Sequence, residues 1–307
     1  MKKVIVTGGA GFIGSNLVDE LINKGIEVII IDDLSTGIEE NLNDRALFYN
    51  LDISKLSPDS DQLAAIMSNL NDVDTIFHTA AKARVQPSIE DPFVYNRVNV
   101  DGTLNMLWLG KTIKINRFVY SASSSAYGNT DIFPTHEDTS TNPISPYGLQ
   151  KFIGEQYCKV FSEVYGLDTV SLRYFNVYGE RMLLEGAYSL VLGIFANQML
   201  KGKKLTVNND GRQRRDFTYV KDVVQANILA GNFKDRLGGE IFNIGNGFNF
   251  SINQVAKMFG GEVIKGKVVI EPFETLSDSS KAKKILGWRP SGDLISWIEK
   301  YKISLGI

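Results

Sequence analysis

One cysteine, two histidines and three tryptophans are all that 307 residues hold of those types. Each scarcity excludes something. A lone thiol, Cys158, cannot build an internal disulfide framework, and its setting in EQYCKVF reads as a helix with a buried structural thiol rather than a nucleophile. His78 and His136 have no companion ligand pattern, so no protein-built zinc site is expected. Charge of one sign is missing as well: 33 Lys and Arg against 35 Asp and Glu leave a net charge of -2. That balance lacks the basic field a nucleic-acid or anionic-membrane partner requires. No apolar run approaches the roughly 20 residues of a membrane span; the strongest, IEVIII, is interrupted by Glu27. The opening MKKVIVTGG is too poor in apolar residues for a signal peptide, and the expected compartment is the cytoplasm. What is plentiful is hydrophobic sequence, 43% of the chain. It is enough for the core of one large domain or two intimately joined ones.

The first half alternates short β-branched runs with helical patterns. KVIVT (3–7), VIIID (28–32), ALFYNLD (46–52), TIFHTA (75–80) and RFVYSAS (117–123) read as strands. Helices are expected after the first glycines, over 61–69 and over 92–112. These strands are apolar runs rather than strict alternations, as in a parallel sheet covered on both faces. The fold class is therefore α/β, a doubly wound Rossmann-type parallel sheet with right-handed crossovers. A long helix follows Pro146 to Tyr165 and stops at Gly166, and DTVSLRYF supplies another strand. Beyond Arg181 the rhythm changes: a helix near 189–200, KKLTV, DFTYVKDVVQANILAG, GEIFNIG, and a helix opened by Ser251 as its cap. The expected organisation is a nucleotide-binding domain over 1–173 with a return segment at about 216–245. A smaller α/β domain over 174–307 is interleaved with it, and a ligand cleft lies between them.

TGGAGFIG places Gly8, Gly11 and Gly14 between a strand and a helix. Gly8 permits the turn, Gly11 lets backbone approach a pyrophosphate, and Gly14 lets the helix pack on the sheet. Unpaired N–H groups at the helix start, around Phe12 and Ile13, suit phosphate oxygens. Asp32 ends the second strand, placed to accept from an adenosine ribose and to disfavour a phosphate there, which favours NAD over NADP. Asp33, Ile53, Ala80, Ala81 and Ser121 complete the expected cofactor wall. Three further residues have two readings each. Asp52 reaches the adenine edge or caps a loop; His78 touches cofactor or is a satisfied structural histidine; Asn99 is a cofactor contact or a polar tie inside a helix.

SASSSAYG (121–128) crowds hydroxyls after the fifth strand, and YGLQK places Tyr147 and Lys151 at i and i+4 on one helix face. Separately, these read as a polar turn and a helix start. After a complete nucleotide cradle they read as a reacting centre. A phenol titrates near pH 10, so Tyr147 needs nearby positive charge to act as a base. Lowering its pKa by about 3 units takes roughly 4 kcal/mol. Lys151 supplies compact charge and several donors. Ser123 is the hydroxyl expected to hold the reacting oxygen while Tyr147 takes its proton; Ser124 and Ser125 shape the loop or bond its backbone.

TGGAGFIG, HTAA, SSSAYG, YGLQK, LRYFNVYG, GRQRRDFTYVKDVVQAN and SDSSKAKKILGW together resemble the extended short-chain dehydrogenase/reductase family, most of all its nucleotide-sugar 4-epimerases. The resemblance covers nearly the whole chain. It implies Tyr147 as base and acid, Lys151 also on the nicotinamide ribose, and Tyr174 beside the nicotinamide. It also implies Asn176 and Arg215 at the substrate diphosphate, Arg84 and Ser124 among the substrate contacts, and a homodimer formed through the helices around 92–112 and 146–165. Dehydratases and decarboxylases of the family place an acid just after the catalytic hydroxyl, where this chain has Ser124 and Ser125. Reductases consuming NADPH are disfavoured by Asp32. Reversible inversion at C4 of a UDP-hexose is therefore the leading expectation, with another NAD-dependent nucleotide-sugar oxidoreductase or a non-catalytic nucleotide-binding protein as rivals. Thr275 aligns with a bulky aromatic that closes the sugar pocket in relatives. Together with HTAAKARVQPSIEDP and GAYSLV, it implies UDP-N-acetylglucosamine as substrate, with UDP-glucose also accepted. Two departures stand out. KGKVVIEPF lacks the arginine and Gly-Asp frequent in the family, and GERM after Tyr178 replaces Gly-Pro-Arg.

Overall fold

The structure is a computed structural model and describes residues 1–184, 186 and 190–307. Its strands are β1 (Lys3–Thr7), β2 (Glu27–Asp32), β3 (Leu47–Asn50), β4 (Thr75–His78), β5 (Arg117–Ser123), β6 (Thr169–Tyr174), β7 (Val177–Tyr178), β8 (Leu205–Val207), β9 (Arg214–Asp216), β10 (Thr218–Tyr219), β11 (Glu240–Ile244), β12 (Asn249–Ser251) and β13 (Val263–Lys265). Its helices are α1 (Phe12–Asn23), α2 (Asp61–Ile66), α3 (Val85–Glu90), α4 (Pro92–Asn96), α5 (Gly102–Thr112), α6 (Pro146–Tyr165), α7 (Val191–Leu200), α8 (Val220–Asn232), α9 (Ile252–Phe259), α10 (Ser280–Ile285) and α11 (Leu294–Leu305).

Seven strands form one parallel sheet in the order β11-β6-β5-β4-β1-β2-β3. The chain builds outward from β1 in one direction through β2 and β3, then returns to lay β4, β5 and β6 on the other side. Ligands of such sheets bind beyond the strand ends at this reversal, which here falls between β1 and β4. Side chains alternate across the sheet with period two. Val4 and Val6 of β1 join a core with Leu17 and Leu21 of α1 and Val220, Val223 and Val224 of α8. Ile5 faces the other way, into a core with Met106 and Leu107 of α5 and Cys158 and Phe161 of α6. Both faces are thus covered, which explains why the strands are continuous apolar runs. A third core gathers Leu192 and Phe195 of α7, Val255 and Phe259 of α9, and Ile298 of α11.

The helix after Pro146 starts where the sequence places it. The Ser145 hydroxyl accepts from the Gly148 amide at 3.1 Å, and Gly166 ends the helix at φ 73°. Ser251 and Gln254 form a reciprocal capping box on α9. The long helix expected over 92–112 is not regular. Its middle, Arg97–Asp101, is a π-helical turn between α4 and α5. The helix expected over 61–69 is α2 followed by a 3-10 turn over Met67–Leu70. Three two-stranded pairs, β7 with β10, β8 with β13 and β9 with β12, sit beside the main sheet. They are too short to show a sequence period. Among the described residues, no helix is long and apolar enough to cross a membrane.

Candidate active site

A cavity of about 580 Å³ opens where the sheet reverses. Its walls include Gly8, Gly11, Asp32, Ser123, Tyr147 and Arg215.

The glycine cradle is sterically closed to larger residues. Gly8 has φ +70°, and a Cβ there would sit 2.7 Å from the Ala80 backbone. A Cβ on Gly14 would lie 2.1 Å from the Gly8 carbonyl oxygen. No side chain caps the start of α1 at Gly11, so the first-turn N–H groups remain for a ligand. Asp32 is almost fully buried and accepts from the Ala10 amide at 3.0 Å and the Leu34 amide at 2.8 Å. Burial pushes its carboxyl up, against the pull of those two amides. Phe12, Ile13, Asp33, Ile53, Ala80 and Ala81 line the same cavity. Asp52 does two things: it lines the cavity and caps a 3-10 turn, accepting from the Ser54 amide at 2.9 Å. Its burial raises the carboxyl's pKa, but the Ser54 hydroxyl and amide together with Lys55 outweigh this and hold it below its ordinary value. A backbone cradle with a carboxylate on the β2 end fits a dinucleotide whose ribose carries free hydroxyls.

Three sequence candidates lie elsewhere in the molecule's wiring. His78 is fully buried; its ring bonds Thr7 Oγ1 at 2.8 Å and Thr103 Oγ1 at 3.0 Å and stacks on Tyr120. Burial pushes its pKa down to about 3. This is the geometry of a satisfied structural histidine. Asn99 is outside the cavity wall. Its side chain accepts from the Lys82 amide at 2.8 Å, donates to the Lys82 carbonyl at 2.9 Å and donates to Gln150 at 3.0 Å. Of its two readings, the geometry is that of the polar tie. Ser121 turns its hydroxyl to Tyr174 Oη, 3.0 Å away, and offers the cavity side no side-chain contact.

Tyr147 enters the cavity from the first turn of α6, with Ser123 opposite at the end of β5. Ser123 Oγ also accepts from the Ser125 amide at 3.1 Å, which fixes the turn. Ser124 and Ser125 line the same wall. The phenol of Tyr147 has its pKa raised. Burial is the main cause, opposed by the Ser123 hydroxyl and the Arg84 guanidinium. The expected downward shift is thus absent from the protein alone: burial outweighs the Ser123 hydroxyl and the Arg84 guanidinium, and Lys151 is not among the groups that act on the phenol. Lys151 lies one turn on, with Nζ donating to the Ser121 carbonyl at 2.8 Å. Burial pushes its pKa down to about 8, against the Glu155 carboxylate. Tyr127, which ends the serine-rich loop, is structural: its hydroxyl donates to Asn243 Oδ1 at 2.7 Å.

A stability consequence follows for Lys151. Its folded pKa of about 8 lies below the ordinary 10.5, so between these values the unfolded chain binds more protons and stability rises with pH. The cost of the buried charge is complete below about pH 8. Stripped of NAD, Lys151→Met is expected to melt a few degrees above the parent at pH 7, with the gap closing as pH rises to 10.5. A thermal melt series checks this; a variant less stable at pH 7 contradicts it.

On the opposite wall, Asn176 Nδ2 donates to Thr275 Oγ1 and to the Asp216 carbonyl, both at 3.0 Å. Arg215, nearly buried, donates to the Arg214 carbonyl at 2.8 Å and pairs with Glu271. Glu271 escaped the sequence reading. It lines the cavity and also accepts from Asn209 at 3.0 Å and Gln213 at 3.1 Å. No local pattern marks it, since its partners come from 56 to 62 residues away. GAYSLV falls partly outside the description: Ala187, Tyr188 and Ser189 are not among the described residues.

A glycine cradle at β1 and a Ser, Tyr and Lys set beyond β5 define a dinucleotide-dependent enzyme of the short-chain dehydrogenase type. The chain belongs to the NAD dependent epimerase/dehydratase family, which matches residues 4–245. NAD is accordingly its cofactor. A putative UDP-glucose 4-epimerase of Methanocaldococcus jannaschii is 40% identical over 305 residues, covering 97% of this chain and 96% of that protein. The crystal structure of a UDP-glucose 4-epimerase from Thermotoga maritima with UDP-glucose matches with a TM-score of 0.91 and 37% identity, covering 99% of both chains. A UDP-N-acetylglucosamine 4-epimerase from Methanobrevibacter ruminantium, in complex with UDP-N-acetylmuramic acid, matches with a TM-score of 0.87 and 34% identity, over 99% of this chain and 98% of that one.

Proposed function

We propose that this enzyme reversibly inverts C4 of a UDP-hexose through a bound 4-keto sugar, with UDP-N-acetylglucosamine as substrate and UDP-glucose also accepted. The observation that carries the reading is Tyr147 facing Ser123 across one cavity with the glycine cradle. The names of the relatives support its coarser part, 4-epimerisation of a UDP-sugar.

Gly8, Gly11 and Gly14 would hold the pyrophosphate of NAD, Asp32 its adenosine ribose, and Lys151 and Tyr174 the nicotinamide end. Bound there, NAD would supply the reversible hydride acceptor that the C4 hydrogen requires. Ser123 holds the C4 hydroxyl by a hydrogen bond. Tyr147 removes its proton in one direction and returns it after the ketose has turned. Asn176 and Arg215 anchor the diphosphate, so the sugar rotates about a fixed end. For Arg215 this requires sharing or releasing Glu271, its partner in the protein alone. Positions 124 and 125 carry only hydroxyls, so neither residue after Ser123 supplies the carboxylate that dehydration would use to take a proton next to the ketone.

The sugar preference rests on Thr275, a small residue on the cavity wall. Purified enzyme given each sugar should equilibrate both with their galacto forms without added reductant, read by anion-exchange chromatography. In Thr275→Tyr, turnover of the N-acetyl sugar should fall at least about tenfold relative to UDP-glucose, within the range that pocket sterics supply. An unchanged ratio would remove Thr275 from the argument. Net loss of water from either sugar would replace epimerisation by dehydration.

The enzyme is further proposed to pair with a second copy through the α4–α6 face. Support comes from apolar side chains left exposed there, Phe93 at 79% and Val164 at 67%.

A further inference from the structure

Arg84 stands in an unusual backbone. Its φ is +89°, a region that non-glycine residues enter only when the surroundings impose it. The imposing contacts are visible on each side. Asn99 of the π turn ties both backbone groups of Lys82, and the Tyr95 hydroxyl donates to the Ala83 carbonyl at 2.7 Å. Beyond Arg84, the Ser88 hydroxyl donates to the Val85 carbonyl at 2.6 Å and accepts from the Tyr147 amide at 3.1 Å. Segment 82–88 is therefore stitched directly to the first turn of α6, where Tyr147 sits. The guanidinium lines the cavity with Tyr147 and Ser123. Among the described residues, nothing hydrogen-bonds or ion-pairs with it.

We propose that Arg84 is a positioning cation for the Tyr147 phenol, a second positive charge that favours its ionised form during proton transfer. The inference rests on the reading of Tyr147 as the proton-transfer group. Among the described residues, the groups that act on Tyr147 are the Ser123 hydroxyl from β5 and Arg84 from the cap of α3, with the buried Tyr120 close enough to feel its charge. Lys151, one turn along α6, gives its Nζ to the Ser121 carbonyl. Burial pushes the Arg84 pKa down from its ordinary value, opposed by Tyr147, then Glu271 from the opposite wall, then Tyr95. Lys151 is an incomplete answer to the phenol's need. It shares its charge with Glu155, and in the protein alone it becomes neutral near pH 8. A guanidinium stays charged at any pH at which the enzyme works. An opposite charge close by moves a titrating group by about one to three pH units.

The test is the pH dependence of kcat for UDP-N-acetylglucosamine and UDP-glucose in the holoenzyme and in Arg84→Met, Arg84→Gln and Arg84→Lys, each checked for fold by circular dichroism. Met and Gln should both move the acid limb upward by about one unit, an approximately tenfold loss on that limb that disappears at high pH. Lys should restore most of it, and KM should change little. A Met or Gln variant with the parent pH profile overturns the proposal. So does a loss confined to KM, because that would make Arg84 a binder of substrate anion. Tyr147→Phe separates the two levels. If it is inactive while the Arg84 variants keep the parent profile, the proposal for Arg84 alone fails; if it is active, the reading of Tyr147 fails.

Discussion

Tyr147→Phe should lower kcat by about two to four orders of magnitude while leaving the fold and the NAD content of the purified protein unchanged. In activation free energy this is roughly 3–5 kcal/mol. The substitution removes one oxygen from a half-buried side chain on the cavity wall at the helix start, and the ring keeps its place. The helix cap is carried by Ser145 and the backbone tie by Ser88, and Ser123, which loses its bond to the phenol, keeps the Ser125 amide. Activity and stability are therefore expected to separate cleanly. A steady-state assay beside a thermal melt checks both, and a variant within threefold of the parent rate would contradict the assignment.

The second large effect is expected far from the sugar. Arg173 of β6 and Glu155 of α6 form a two-pronged pair, 2.8 and 2.7 Å, with side chains 2% and 0% exposed. Arg173 also lies over the Tyr127 ring, 4.5 Å from its centre. Glu155→Gln keeps the shape but removes the charge, stranding a guanidinium in the interior. The expected cost is about 3–5 kcal/mol, which lowers Tm by on the order of 10 °C. Replacing both partners, Glu155→Leu with Arg173→Met, should recover most of the loss, since two well-packed apolar groups need no compensation. Calorimetry on the three variants decides it. A single variant as stable as the parent, or a double variant as unstable as the single, would contradict the account. Glu155 also raises the pKa of Lys151, so Glu155→Gln should move Lys151 further down and narrow the range over which its charge is available.

Much of the molecule was legible in the chain because its signals are local. TGGAGFIG follows an apolar run and opens a helical pattern, and β1 and α1 meet at Gly8–Gly11 as that spacing implies. Tyr147 and Lys151 share a helix face by spacing alone. Pro146 and Gly166 bound α6 in both sequence and structure. The illegible parts depend on distant partners. Glu271 has its role only through Arg215, Gln213 and Asn209. Asn99 looks like any polar helix residue until Lys82 is seen against it. Arg84 was visible as a charge near a family motif, but the positive φ that turns it is imposed by contacts from three other elements. The π turn at Arg97–Asp101 leaves no mark in a pattern of apolar spacing, because it changes the winding and not the composition.

One measurement reaches the centre of the account. UDP-glucose bearing deuterium on carbon 4 is carried to equilibrium by the holoenzyme in ordinary water, mixed with unlabelled UDP-N-acetylglucosamine, and both sugars are examined by mass spectrometry and NMR. Deuterium still on carbon 4 of the inverted hexose, with none on the N-acetyl sugar or in solvent, is the predicted result: the hydrogen leaves and returns within a single binding event. Label washed into water, or found on the second sugar, would contradict it.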